Sequence, residues 1–580
     1  MLSGSLIFYV LALVSCIGAG YLLWSIVLHR LVSGTKATLY PSSIELGIVG
    51  LFALGIFSVL LNYFVPVSLW LSLFIITVCL LAGVVRLIRA PKSGLFKLLV
   101  FMAVIVLFAI WGSKFLLRVD SGVYHLQAIS WMKDEPIVVG LANVHHRFGF
   151  NSLWLSALAY FWLPFYDIKG VLLANYLPSI FFVLVLINHL LATPKSARES
   201  LAISTVFALC CMVGFSAAPV LLMTNTTSTD LAANAFTVLA ALIFLRSFGA
   251  RQYPADKVNK DHMMLWIIAV FAALTKLSAI TPGLLAVFYM LYHRDVLGII
   301  TIRRTLFFFA AVTGIWVLRN FILSGCLLFP VGLTCADPDF VSWSVGSGSA
   351  DTARVVVERW ARAPGPTFQT DGASTDWFGH WLQMPNRGTR LINIGSRVMG
   401  VLVIGLLYLL LLITLKKTKP DKGAISVRGP LTGVGLAMLA ALTGLLFGFV
   451  TAPDPRFWWG SFIIVLMLPV SIVAYLLIQK GNLIGPRSII VALLLTTIPI
   501  SKYIMNRGVS WQAINHPMQT FRTVIPEAKV ELVPATGFDI RMPVDDGMCW
   551  LAPKPCSPED PAGLSRYRAG SYSVYVRETE

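Results

Sequence analysis

Asp120 follows an apolar run that ends at Leu117, and it opens the polar stretch Asp120-Ser-Gly-Val-Tyr124-His125. A carboxylate at a membrane surface can accept the proton of an attacking hydroxyl if that group comes within hydrogen-bond reach. The chain soon reads Asn143-Val-His145-His146-Arg147-Phe148-Gly149, which adds two histidines to the same outer segment. Further on, Asp230 opens an apolar run and Lys276 stands between two short ones. Arg319 lies near the end of another run, and Arg456 follows Pro453-Asp454-Pro455. Fixed cations in a site shielded from water stabilise charge that builds on a departing phosphate oxygen. The residue types therefore suit proton transfer beside a phosphate leaving group.

Each residue also has a plainer role. Asp120 could cap a helix beginning at Ser121, and Asp230 could do no more than complement a helix N-terminus. Arg319 could snorkel to the surface, Tyr124 and His125 could anchor the interface, and Asp454 with Arg456 could be a local ion pair. Lys276 is harder to dismiss, because a lysine between apolar segments must pair, snorkel or serve a site. The adjacent His145 and His146 point in different directions, and no cysteine or carboxylate completes a set at ligand spacing. They are read as substrate contacts or loop packing, and no metal ligands are assigned.

The elements that carry these residues are membrane spans. With 57% hydrophobic and 12% charged residues in 580, and a mean hydropathy of +0.79, a soluble protein is excluded. Apolar runs place spans near residues 5–28, 43–63, 67–88, 97–117, 170–192, 200–222, 230–248, 263–276, 277–293, 304–323, 396–415, 430–450, 457–478 and 486–504, about 14 in all. The first lacks a basic leader and a cleavage site, so it reads as a retained helix. The spans 263–276 and 277–293 are short, and Thr281-Pro282-Gly283 interrupts the second. Such a break needs protein or a wet cavity around it. The brief apolar stretch Phe150 to Phe165 reads as a helix in or dipping into the outer interface.

The net charge of +18 is a topology signal, not a sign of a nucleic-acid partner. Arg30, Arg86, Arg89, Arg246, Lys260, Arg304, Lys416 and Lys480 fall in alternate loops, as positive-inside bias requires. Both termini then face outward, with loops 118–169 and 324–395 and a tail after residue 505. Loop 324–395 holds Trp343, Trp360, Trp377, Phe378, His380 and Trp381, which suit stacking on sugar rings or seating on a membrane. Cys326, Cys335, Cys549 and Cys556 are the outer cysteines and could form two short-range disulfides in an oxidising compartment. The tail reads as a small disulfide-closed cap or acceptor platform.

With these loops in view, the chain resembles the GT-C class of integral-membrane glycosyltransferases. The resemblance rests on Asp120 with Tyr124; Val144-His145-His146-Arg147-Phe148-Gly149-Phe150-Asn151; Thr226-Thr227-Ser228-Thr229-Asp230; Leu274-Thr275-Lys276; Leu318-Arg319-Asn320 with Ser324-Gly325 and Phe329-Pro330; and Ala452-Pro453-Asp454-Pro455-Arg456-Phe457. It implies an all-α polytopic bundle: a three-helix addition over 1–96, a core over 97–504 and a periplasmic tail over 505–580. It implies transfer of a sugar from a polyprenyl-phosphate carrier such as undecaprenyl phosphate to a glycan, lipid or protein acceptor. That transfer would take place at the periplasmic face of a bacterial inner membrane, with inversion.

Asp120 is then the base. Tyr124, His125, His145, His146, Asp230, Lys276, Arg319 and Arg456 hold the donor phosphate or substrate. No cofactor is expected, with a divalent cation left open because Ser121 stands where many relatives carry a second acid. Two rival readings are a lipid-linked glycan polymerase or ligase, and a transporter or flippase. The transporter would need its charges near mid-membrane.

Overall fold

A computed structural model describes residues 4–32, 40–90, 94–111, 119–191, 203–216, 227–248, 254–365, 368–383, 428–481, 525–545 and 547–577. The protein is mostly helical. Among the described residues, eight helices are long and apolar enough to cross a membrane, and two shorter apolar ones, Leu95–Ala109 and Thr281–Tyr292, accompany them. The expected spans at 396–415 and 486–504 lie outside the described residues.

The first three long helices are α1 (Gly4–Leu23), α2 (Ser43–Asn62) and α3 (Leu69–Arg89). Small residues let their backbones approach closely: a Cβ on Gly50 of α2 would overlap the Cys16 carbonyl of α1, and one on Gly20 would overlap that of Leu46. On α3, Trp70, Phe74, Leu81 and Ile88 are all more than 60% exposed. Such a surface is stable against lipid and costly in water. α4 (Leu95–Trp111) leads toward Asp120, and α5 (Leu126–Asp134) follows it.

Next comes α6 (Leu153–Leu158), inside the stretch expected to lie in the outer interface. The structure corrects that expectation. Leu153, Trp154, Leu155, Ala157, Leu158, Tyr160 and Phe161 are all at most 4% exposed. They form part of the same apolar core as α1 and α2, so residues 153–161 are covered by protein, while Phe165 at the end of the stretch is 91% exposed. The same core runs through α7 (Ile168–Ala174), α8 (Leu177–Leu191), α9 (Ile203–Ser216) and α10 (Thr229–Arg246). The three leading helices share this core with the helices that follow.

The broken pair is present. α11 (Ala255–Thr275) stops at Lys276, whose φ of −155° and ψ of 118° are extended, and α12 (Thr281–Tyr292) resumes with Pro282 in its first turn. Ser152 Oγ donates to the Thr275 carbonyl at 3.0 Å, satisfying a group that the break leaves without a helical partner. α13 (Arg294–Ser324) is bent at Gly298, where φ is 71°.

The two ends of the bundle differ. At the start of α2, Ser42 and Glu45 form a reciprocal cap, and Glu45 accepts from Arg246 at 2.7 Å with Lys260 3.5 Å away. Arg304 reaches the Arg30 carbonyl near this end. At the other end of α2, roughly 30 Å along the helix, Asn62 donates to the Met132 and Glu135 carbonyls of the segment that follows Asp120.

The remaining helices include α14 (Gly346–Arg362), α15 (Arg428–Thr451) and α16 (Pro455–Gly481). The tail departs from the all-α expectation, because it folds as two hairpins, β1 (Val530–Ala535) with β2 (Phe538–Pro543) and β3 (Leu564–Ala569) with β4 (Tyr572–Arg577). It is too small for a core of its own. Ile540, Leu564 and Tyr575 instead pack with Trp131, Ile137, Val138, Val144 and Phe148 of the segment that follows Asp120. Cys326–Cys335 and Cys549–Cys556 are disulfides, while Cys16, Cys79, Cys210 and Cys211 are free and buried.

Candidate active site

Asp120 immediately precedes a wide π-helical turn, Ser121–His125, a geometry often used at functional sites. Its side chain makes no capping bond there, so the plainer alternative, a helix cap, is absent. The carboxylate is held instead by two arginines. Arg147 Nη1 donates to Oδ1 at 3.0 Å, and Arg456 Nη1 donates to Oδ2 at 3.0 Å.

The tail braces this turn. Trp550 N–H donates to the Gly122 carbonyl at 2.8 Å, and Gln127 Nε2 donates to the Trp550 and Ala552 carbonyls at 3.2 and 2.9 Å. A side chain at Gly122 would collide with the Trp550 ring.

A second pair lies beside the first. Asp230 sits in the first turn of α10, where Ser228 caps its backbone N–H, and its carboxylate accepts from Lys276 at the break after α11. Arg456 bridges the two groups: its Nε lies 3.7 Å from Asp230 and 3.3 Å from Asp454. The Asp454–Arg456 pair expected from sequence exists, and the same arginine also reaches Asp120. Asn234 locks the arrangement by donating to the Asp230 and Arg456 carbonyls, each at 2.8 Å, while its Oδ1 accepts from Gly460 N–H at 2.7 Å.

Asp120, Tyr124, His125, Asp230, Lys276 and Arg456 all line one cavity of about 290 Å³. Arg147 and Arg354 join them, with Leu155, Leu277, Trp316, Phe329, Phe447 and Phe457 as apolar wall. Aromatic faces cover the cations: Trp360 lies 4.7 Å from the Arg456 guanidinium, and the Lys276 ammonium is 3.5 Å from the Phe457 ring centroid. Arg147 stands inside the histidine motif, where its residue type alone does not mark it as a site residue. Arg354 and Asn234 carried no local signal, since helical arginines and asparagines are common on any face.

Three expected site residues lie elsewhere. Arg319 is buried and donates to Asn62 Oδ1 at 2.8 Å, lining with Trp131 and Phe148 a small pocket that adjoins the cavity through Phe150, Asn151, Ser152 and Leu155. It ties the end of α2 to α13 and does not reach Asp120's cavity. His145 and His146 are absent from the cavity wall, and both face Glu559 of the tail. The carboxylate that meets the pair lies more than 400 positions away in the chain, far outside any ligand spacing that the sequence displays.

Burial opposes ionisation of Asp120, but Arg456, the His125 ring and Arg147 outweigh it and hold the carboxyl well below the usual carboxylate range. His125 behaves oppositely. Burial pushes its imidazole down to about 4, against the pull of Asp120 and Asp230, with Arg456 and Arg147 reinforcing the shift. Thr227 spends its hydroxyl proton on Ser121 Oγ, at 3.0 Å. The same Thr227 hydroxyl lies 3.3 Å from His125 Nδ1.

Because an unfolded histidine titrates near about 6.5, the neutral ring contributes stability that is full above that pH and is lost as pH falls toward 4. Melting temperature in detergent should fall between about pH 6.5 and 4.5, and His125→Gln should flatten part of that slope. His145, also pushed down by burial, supplies a remainder. An unchanged slope in the variant would mean that the His125 ring titrates normally.

Residues 1–464 match the family model described as Domain of unknown function (DUF8201). No curated protein and no solved structure matches the chain.

Proposed function

Since the chain belongs to the DUF8201 family, whose function is unknown, its activity has to be read from the site, and we propose a GT-C-type glycosyltransferase. The enzyme moves a sugar from a polyprenyl-phosphate carrier, such as undecaprenyl phosphate, to an acceptor at the periplasmic face of a bacterial inner membrane. It crosses that membrane about 14 times, with both termini periplasmic.

The observation that carries this reading is Asp120 clasped between Arg147 and Arg456, with Lys276 and Asp230 in the same partly apolar cavity. The family region, residues 1–464, takes in the three leading helices together with the residues of the cavity.

In the resting site each carboxylate is matched by a cation, so an arriving phosphate must compete with Asp120 for the arginines. That competition supports catalysis. A carboxylate pinned by two guanidinium groups is a weak base, and it becomes a better one as Arg147 and Arg456 turn to the phosphate. The acceptor oxygen then bonds to the anomeric carbon, its proton passes to Asp120, and the carbon–oxygen bond to phosphate breaks. The leaving oxygen keeps the electron pair, stabilised by Arg147, Arg456 and Lys276. Inversion follows from the GT-C resemblance. Leu155, Leu277, Phe447 and Phe457 suit the first isoprenyl units. Phe447 belongs to α15, whose neighbouring Leu446 and Val450 are more than 60% exposed.

The test is binding of polyprenyl phosphate to the purified protein by native mass spectrometry. Arg456→Met should weaken it at least about tenfold, the scale of one lost charge-assisted contact. Equal binding by the folded variant and the wild type would overturn the proposed phosphate site.

A further inference from the structure

A second cluster of ligand chemistry lies outside the cavity. His145 is extended, with φ −154° and ψ 123°, and His146 opens the next 3-10 turn. That change in backbone direction lets adjacent side chains face one point. His145 Nδ1 lies 2.5 Å from Glu559 Oε1, His146 Nδ1 meets the same oxygen, and His146 N–H donates to it at 3.0 Å. A carboxylate oxygen has two lone pairs, yet three nitrogens converge on this one.

The two imidazole nitrogens and the carboxylate oxygen all lie within 4.8 Å of one another. A tetrahedral zinc ion with bonds of about 2.1 Å separates its ligand atoms by roughly 3.4 Å, so a small rotation of Glu559 opens a place between them. The His145 side chain is 3% exposed, and its Nε2 has no hydrogen-bond partner among the described residues.

We propose that His145, His146 and Glu559 bind one transition-metal cation of the Zn²⁺ type. Two imidazole nitrogens among three ligands favour such an ion over Mg²⁺ or Ca²⁺, which prefer oxygen. His146 and Glu559 are 29% and 30% exposed, so water can reach a fourth position.

The ion joins the family region to the tail beyond it. His145 and His146 lie within residues 1–464, which match the family, whereas Glu559 lies beyond them. Asn143, two residues before His145, is already gripped by the tail: its Nδ2 donates to the Tyr575 carbonyl at 3.2 Å, and its own carbonyl accepts from Arg577 at 3.0 Å. Arg147, the residue after His146, holds Asp120. Metal loading therefore fixes the turn that carries Arg147, whatever reaction the cavity performs.

The experiment uses full-length protein stripped with EDTA and titrated with Co²⁺ alone. The absorption bands of tetrahedral Co²⁺ should grow to one equivalent per chain, be displaced by Zn²⁺, and be unaffected by excess Mg²⁺ or Ca²⁺. Glu559→Gln and His146→Ala should each weaken binding at least tenfold, with size-exclusion profiles showing that both variants remain folded. His380→Ala, which alters an exposed histidine of the short helix Trp377–Gln383, should bind as the wild type does. The proposal is overturned if the wild type takes up no stoichiometric Co²⁺ or Zn²⁺. It is equally overturned if folded Glu559→Gln and His146→Ala proteins keep wild-type affinity.

Discussion

Asp120→Asn should reduce sugar transfer by about 10³-fold, within the range contributed by a positioned general base, while leaving polyprenyl-phosphate binding intact or tighter. The split follows from the clasp. Asparagine keeps the shape of the carboxylate but loses its charge, so Arg147 and Arg456, each 3.0 Å from an Asp120 oxygen in the resting site, become freer to hold phosphate. Turnover of a polyprenyl-phosphate sugar and binding of the phosphate carrier should be measured on the same purified, monodisperse protein. Full transfer by the folded variant would eliminate Asp120 as the base. A parallel loss of binding and turnover would reassign it to holding the arginines in place.

The largest expected effect on stability lies at Asp230 and Lys276. Their side chains are only 7% and 19% exposed, and removing one partner of a buried pair costs about 3–5 kcal/mol because the other charge stays uncompensated. Asp230→Asn should therefore lower the melting temperature in detergent sharply. Asp230→Asn combined with Lys276→Met should recover most of the loss, since no buried ammonium then remains. Transfer should stay low in the double variant, because a cation facing the phosphate is gone. If the two substitutions instead destabilise additively, packing at the break between α11 and α12 accounts for the loss and the ion pair does not.

Much of the frame was legible because its signals are local. Apolar runs of bilayer length, the break at Lys276 with Pro282 just beyond it, and Asp230 opening a helix each depend on a few neighbouring residues, and the structure has all three. Phe150 to Phe165 misled for a related reason: a short apolar segment has the same composition whether lipid or protein covers it, and here α2 and its neighbours do. The hairpins of the tail were missed because their strands are only six residues long and only partly buried, which leaves little alternation to read.

Asp120 and Arg456 could be nominated from residue type and position alone, whereas their contact, spanning 336 positions, could not. Arg319 shows the opposite outcome. It has the same charge and sits at a helix end, yet its guanidinium is turned to Asn62 by the packing of α13 against α2. The sequence by itself determined the hydrophobic spans and the kinds of side chain at the helix ends, because chain composition and solvent transfer free energy set these. Only the tertiary structure decided which charges share a cavity, that Arg147 belongs among them, and that Glu559 meets the paired histidines. Those choices depend on which helix faces pack together, and no short window of sequence encodes that.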